Sequence, residues 1–146
     1  MRHGVACMLI RPFQPADEAA VVELWQRCDL TRPWNDPHKD IQRKLKVQPE
    51  LFLVGEIDGQ LVASAMAGYE GHRGWVNYLA VCPEQRQRGL ARQLMAHIEE
   101  QLLAMGCPKL SLQVRDSNTA ALAFYERLGY KVDASVSLGK RLIADD

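Results

Sequence analysis

The sequence predicts an α/β fold, a mixed and strongly twisted sheet of about six to seven strands with helices on both faces. Three observations carry that expectation. Strand-like and helix-like patterns follow one another in the order β-α-α-β-β-β-α-β-α-β-β. Asp58-Gly59 joins two apolar runs as a tight hairpin. The run from Trp75 to Val81 is apolar almost throughout, which argues for a strand buried on both faces. The chain has 146 residues, 47% of them hydrophobic, with no linker, repeat or low-complexity segment. One domain over residues 8–146 is therefore expected, with 1–7 as a loose extension ahead of the first strand pattern.

The elements are justified in turn. "MLIRPF" reads as a short first strand, and "QPADEAAVVELWQRC" as a helix whose first turn suits Pro15 and whose apolar face draws on Ala19, Val22, Leu24 and Trp25. Pro33 and Pro37 mark "DLTRPWNDPHKD" as loop, and "DIQRKLK" as a short second helix capped by Asp40. "LFLVGEI" and "QLVASAMAGY" flank the hairpin, "EGHRG" turns, and "WVNYLAV" is the next strand. Leu90, Leu94, Ile98 and Leu102 recur at helical spacing between about Arg88 and Met105, and Gly106 ends that helix. "KLSLQVRD" is a strand, "SNTAALAFYERLG" a helix that Ser117 caps and Gly129 closes, and "YKVDASVSLGKRLI" a closing pair of strands.

Composition excludes several functions. Lysine plus arginine equals aspartate plus glutamate at 18 each, so no global field draws nucleic acid or an anionic membrane, and neither is expected as a partner. Four cysteines without C-x-x-C spacing read as reduced thiols of a cytoplasmic protein. The histidines form no H-E-x-x-H, so no metal is expected. No apolar run is long enough to span a bilayer, and "MRHGVACMLIRPF" is too short in apolar residues for a signal peptide.

Against that neutral background, Arg86, Arg88 and Gly89 stand at the mouth of the longest helix. The first N–H groups of a helix lack internal partners and lie at the positive end of its dipole, where arginine is unfavourable unless an anion binds. A glycine lets that anion approach the backbone. Neither a P-loop nor a G-x-G-x-x-G fingerprint is present. The residues alone point to a local anion site that suits phosphate.

The run "VCPEQRQRGLA" resembles the acetyl-CoA signature of the GNAT superfamily of N-acetyltransferases, V-x-P-x-x-[RQ]-x-x-G-x-[GA], through Val81, Pro83, Arg86, Gly89 and Ala91. "NTAALAFYERLGY" resembles that superfamily's second landmark, and the two lie in order with "SLQV" between them. The resemblance extends from Met8 onward and is closest to a small bacterial branch through "CDLTRPWNDP", "GHRG" and "SLGKRLI".

The resemblance implies a GNAT-like sheet and an acetyl-CoA-dependent N-acetyltransferase acting on a primary amine of a small molecule or peptide, by direct attack in a ternary complex. It implies that the backbone of Leu79, Ala80 and Val81 receives the pantetheine arm, and that Arg86, Gln87, Arg88, Gly89, Leu90 and Ala91 hold the pyrophosphate. Asn118 would tie the second landmark helix to the coenzyme, although it equally suits a helix-start hydrogen bond. Tyr125 matches the general acid facing the coenzyme sulfur, a role its motif position favours over that of a buried aromatic on an amphipathic helix. A branch that acetylates ribosomal-protein N-termini carries glutamate where this chain has Gln113, which removes the simplest base. Glu70, His72 and Glu56 remain as weak base candidates, along with a water relay.

The resemblance also implies that Trp34, Asn35 and Asp36 overhang the acceptor end, where Trp34 would stack on a substrate and Asp36 attract an amine. Local turn bonds account for the same residues. A homodimer is expected on the resemblance, since small members pair through C-terminal strands. The rival reading is a non-catalytic acyl-CoA-binding sensor, which the missing glutamate motivates. RNA binding through Arg86, Arg88, Arg92 and Arg43 is a minor third, opposed by net neutrality.

Overall fold

Among the described residues, five strands form one sheet in the order of the chain. In the computed structural model, which describes residues 7–145, β1 (Leu9–Pro12) pairs antiparallel with β2 (Phe52–Ile57), β2 with β3 (Gln60–Tyr69), and β3 with β4 (Gly74–Val81). Only β5 (Leu110–Leu112) runs parallel to its neighbour, β4. The expected extension at 1–7 lies, apart from exposed Cys7, outside the described residues.

Alternation along the strands divides the core into two layers. On one face, Phe52, Val54, Met66 and Ala80 meet Val21, Val22 and Trp25 of α1 (Glu18–Arg27) and Ile41 of α2 (Pro37–Lys44). On the other, Leu53, Ala63, Ala65 and Val76 meet Leu90, Leu94, Ile98 and Leu102 of α3 (Leu90–Ala104). The stripe read from helical spacing in α3 is thus wholly buried. Alanines along β3 let α3 approach that face closely.

The Asp58-Gly59 hairpin forms as expected, both residues having positive φ (50° and 79°), as a type I′ turn requires. Gly106 and Gly129 follow α3 and α4 (Thr119–Arg127) at φ 85° and 95°.

Four expectations are corrected. The sheet has five strands, because "YKVDASVSLGKRLI" forms none. Its ladder partner is missing, as β5 stops at Leu112, and ion pairs fasten the segment instead: Lys109 to Asp133, and Arg43 and Arg141 to Asp145. Strand β4 is not buried on both faces, since Trp75 and Asn77 are exposed while Val76 and Ala80 are buried. Asp36, not Asp40, caps α2, accepting from the His38 and Lys39 N–H groups, because Pro37 starts the helix four residues earlier. Asn118, not Ser117, caps α4, its side chain accepting from the Ala121 N–H at 3.1 Å.

Candidate active site

Parallel pairing between β4 and β5 covers only Gly74–Val76 against Leu110–Leu112. Among the described residues, β4 beyond Val76 has no strand on that side, so the backbone of 77–81 borders an open wedge. The β3–β4 register explains the divergence. Ser64 faces Ala80 and Met66 faces Asn77, so Tyr78 and Leu79 together oppose Ala65 in a bulge. Tyr78 adopts φ 55°, a costly conformation for a bulky residue.

Three contacts hold the bulge. The Tyr78 ring stacks on Trp25 at 3.8 Å between centroids. Its hydroxyl donates to the Asp40 carboxylate at 2.7 Å. Its carbonyl accepts from the buried Ser64 hydroxyl at 3.1 Å, and Ser64 in turn accepts from the Trp25 indole N–H at 2.8 Å. Burial first and Asp40 second raise the Tyr78 phenol well above its ordinary pKa, keeping it a neutral donor.

From the end of β4 the chain passes through a 3₁₀ turn, Pro83–Gln85, into α3. Gln87 and Gly89 have positive φ, 64° and 79°. The first turn of α3 is closed by the Gln93 N–H donating to the Gly89 carbonyl. Among the described residues, no backbone N–H of 87–92 donates to a backbone carbonyl. The result is a run of free donors at the positive end of the longest helix. A Cβ built on Gly89 would meet nothing within 4 Å, so the space above these amides is open. The buried side-chain nitrogen of Gln93, one turn on, also lacks a partner.

Arg86 and Arg88 are exposed beside this cradle. The Arg86 guanidinium folds back to the Val81 carbonyl at 3.4 Å, and Arg88 donates to the Gln85 side chain.

Across the wedge, Tyr125 of α4 packs edge-on against Phe124 and Tyr130, with centroids at 5.0 and 5.8 Å. Burial pushes its phenol up to about 12. Leu79, Asn118, Tyr125, Asp40 and Arg43 all border one open cleft of about 2110 Å³, larger than most small-ligand pockets.

A free strand edge followed in the chain by free helix amides suits an extended ligand ending in phosphates. The acetyltransferase (GNAT) family model matches residues 19–130. The chain belongs to that family. It is an acetyltransferase, and 52% of 138 aligned residues are identical to an acetyltransferase of Yersinia enterocolitica, covering 94% of this chain and 98% of the relative. Among solved structures, Ard1 from Thermoplasma volcanium superposes with a TM-score of 0.78 at 24% identity, covering 87% of this chain and 84% of that one, which shows the shared fold. The ribosomal-protein-S18-alanine N-acetyltransferase of Escherichia coli gives 0.70 at 27% identity, covering 84% and 77%.

The other expected site residues of this acetyltransferase are scattered. Glu70 and His72 lie in the exposed turn between β3 and β4 and do not border the cleft. The Glu70 carboxylate accepts from the Arg73 and His72 N–H groups, which hold it below the usual carboxylate range and occupy it in the turn. Glu56 is paired with Arg11 at 3.2 Å, at the opposite edge of the sheet. Gln113 is exposed just past β5 and donates to Ser137. Asp36 is used as a helix cap, Asn35 accepts from Arg141 at 2.6 Å, and Trp34 is 58% exposed.

Sequence reasoning missed Tyr78, Ser64, Trp25 and Asp40 as a connected group. Only the isolated polar Ser64 within an apolar strand hinted at a buried hydrogen bond. Among the described residues no cluster of three His, Cys, Asp or Glu is placed to hold a metal, and no helix is long and apolar enough to cross a membrane.

Proposed function

We propose that the chain is an acetyl-CoA-dependent N-acetyltransferase whose acceptor is the primary amine of a small molecule or peptide, attacking directly in a ternary complex. The observation that carries this reading is the run of unpaired amides at 87–92, reached through one short turn from the end of the strand that borders the wedge. An extended pantetheine arm suits the strand edge, and a diphosphate suits the amides. The open space over Gly89 and the orphaned Gln93 amide fit such a guest.

Acetyl-CoA supplies the activated acyl carbon and a thiolate leaving group. Leu79, Ala80 and Val81 offer main-chain groups along the arm, and the Leu79 or Ala80 N–H beside the bulge is the candidate oxyanion donor. The amine nitrogen forms the new C–N bond as the C–S bond breaks. Tyr125, neutral at physiological pH, gives its phenolic proton to the departing sulfur. The surplus proton on the amine leaves through water in the open cleft, since no free carboxylate among the base candidates borders it.

A screen of amines, polyamines, amino acids and peptides for acetyl-CoA-dependent thiol release tests this directly. Turnover with at least one amine class is expected. Tight acetyl-CoA binding with no release across the panel would replace the enzyme with a sensor.

A further inference from the structure

Beside the cleft, Arg43 holds a carboxylate supplied by the chain itself. The side chain of Asp145 is 1% exposed, although most of the segment leading to it is open to solvent, with Val136, Leu138 and Leu142 at 84%, 91% and 88%. Arg43 grips this carboxylate with both guanidinium arms, at 2.6 Å to Oδ1 and 3.4 Å to Oδ2. The Asp36 N–H donates to Oδ2 at 2.8 Å, and Arg141 reaches the same oxygen at 2.9 Å. Lys39 adds a bond to the Asp145 backbone carbonyl at 3.2 Å.

Such a forked, charge-assisted cradle is built for a planar carboxylate. Arg43 and Asp40 both border the cleft shared with Leu79 and Tyr125. On the same helix, the Arg43 guanidinium also donates to Asp40 at 3.1 Å. A cation that binds carboxylate therefore stands beside a carboxylate suited to an ammonium, complementary to a molecule carrying both charges.

We propose that Arg43 and the Asp36 N–H form a recognition site for the carboxylate of the acceptor, which is an amine of the amino-acid class, and that Asp145 fills this site until the acceptor displaces it. This deepens the acetyltransferase reading and rests on it. Little apolar surface of the segment is buried with Asp145, so polar contacts alone hold it in place. The free protein then binds its acceptor with its intrinsic affinity multiplied by the fraction of sites that Asp145 leaves open.

The test titrates ¹⁵N-labelled protein with N-acetylglycine and with N-acetylglycinamide, which differ only in the carboxylate, while following the Asp36 amide resonance. A saturable shift with the acid, and binding at least about tenfold weaker for the amide, is expected from one charge-assisted pair. Asp145→Asn should tighten the acid about tenfold and leave the amide unchanged, whereas Arg43→Gln should erase the difference between the two. A mere anchoring role for Asp145 would lower thermal stability in Asp145→Asn without changing the acid-to-amide ratio, and that result overturns the proposal. Equal binding of acid and amide to the wild type also overturns it, and needs no variant to fold. The titration requires no acetyl transfer, so acid-selective binding without turnover in the thiol-release screen counts against the enzyme reading alone.

Discussion

The hydroxyl of fully buried Ser64 donates to the carbonyl oxygen of half-buried Tyr78 across the β3–β4 bulge, at 3.1 Å. This bond fixes the point at which β4 turns away from β5. It ties the shape of the wedge to the core beneath α1, because Ser64 also receives the Trp25 indole N–H.

Ser64→Ala should therefore destabilise the protein by about 1–3 kcal/mol, since it strands a buried donor on Trp25 and an acceptor on Tyr78 together. Urea unfolding reads the loss. The same variant should bind acetyl-CoA more weakly, because the bulge sets the edge on which the pantetheine arm would lie. Loss of stability with unchanged affinity would uncouple bulge and wedge.

Gly89 and Gly129 make a matched pair for testing the cradle. Both have positive φ, and a Cβ on either meets no atom within 4 Å. Alanine at each should cost about 1 kcal/mol through backbone strain. Only at Gly89 would the added methyl stand over the free amides of α3. Calorimetry should show acetyl-CoA affinity falling by tenfold or more in Gly89→Ala and staying within about twofold in Gly129→Ala.

Why much of this fold was readable, and part of the site was not, follows from the range of the interactions. Leu90, Leu94, Ile98 and Leu102 declare a buried face by spacing alone, and Asp58-Gly59 needs only its own two residues to turn. The cradle was readable because helix-start amides are free by construction. The residues that support the bulge were not, since Trp25, Asp40 and Ser64 meet Tyr78 from three separate elements. Val132, Val136 and Leu138 share one parity, which mimics a strand, yet a strand also requires an edge to pair with. The short β5 offers none. Glu70 illustrates the reverse error of plausibility, a carboxylate whose lone pairs are already committed to its own turn.

The pair of Arg11 with Asp17 should weaken at acid pH. Asp17 accepts two bonds from that guanidinium, at 2.8 and 3.0 Å, and one from the Gln14 N–H. The Arg11 bond leads in holding its pKa below the ordinary 3.8. A depressed folded pKa contributes stability that is present above the unfolded value and lost as pH falls through the folded one. Asp17→Asn should thus be less stable than wild type by about 1 kcal/mol above pH 4, with the gap closing below it. A gap that persists undiminished at the lowest pH would assign the effect to packing.

Tyr125 gives the most direct test of the chemistry. Burial, the only cause acting on it, lifts its phenol to about 12, so the proton needed by a departing thiolate is in place throughout the neutral range. Tyr125→Phe keeps the ring and its edge-on contacts with Phe124 and Tyr130 while removing that proton. Turnover should fall by about 10²-fold or more, the ordinary scale of a lost general acid, with acetyl-CoA affinity held within about twofold. The raised pKa also has a stability consequence whose sign is opposite to that of Asp17. The neutral phenol favours the folded state below about pH 10, and this contribution is lost as pH climbs towards 12. Wild-type protein should accordingly lose stability more steeply than Tyr125→Phe between those limits. An unchanged kcat in Tyr125→Phe would remove the hydroxyl from the reaction and leave Tyr125 a core aromatic.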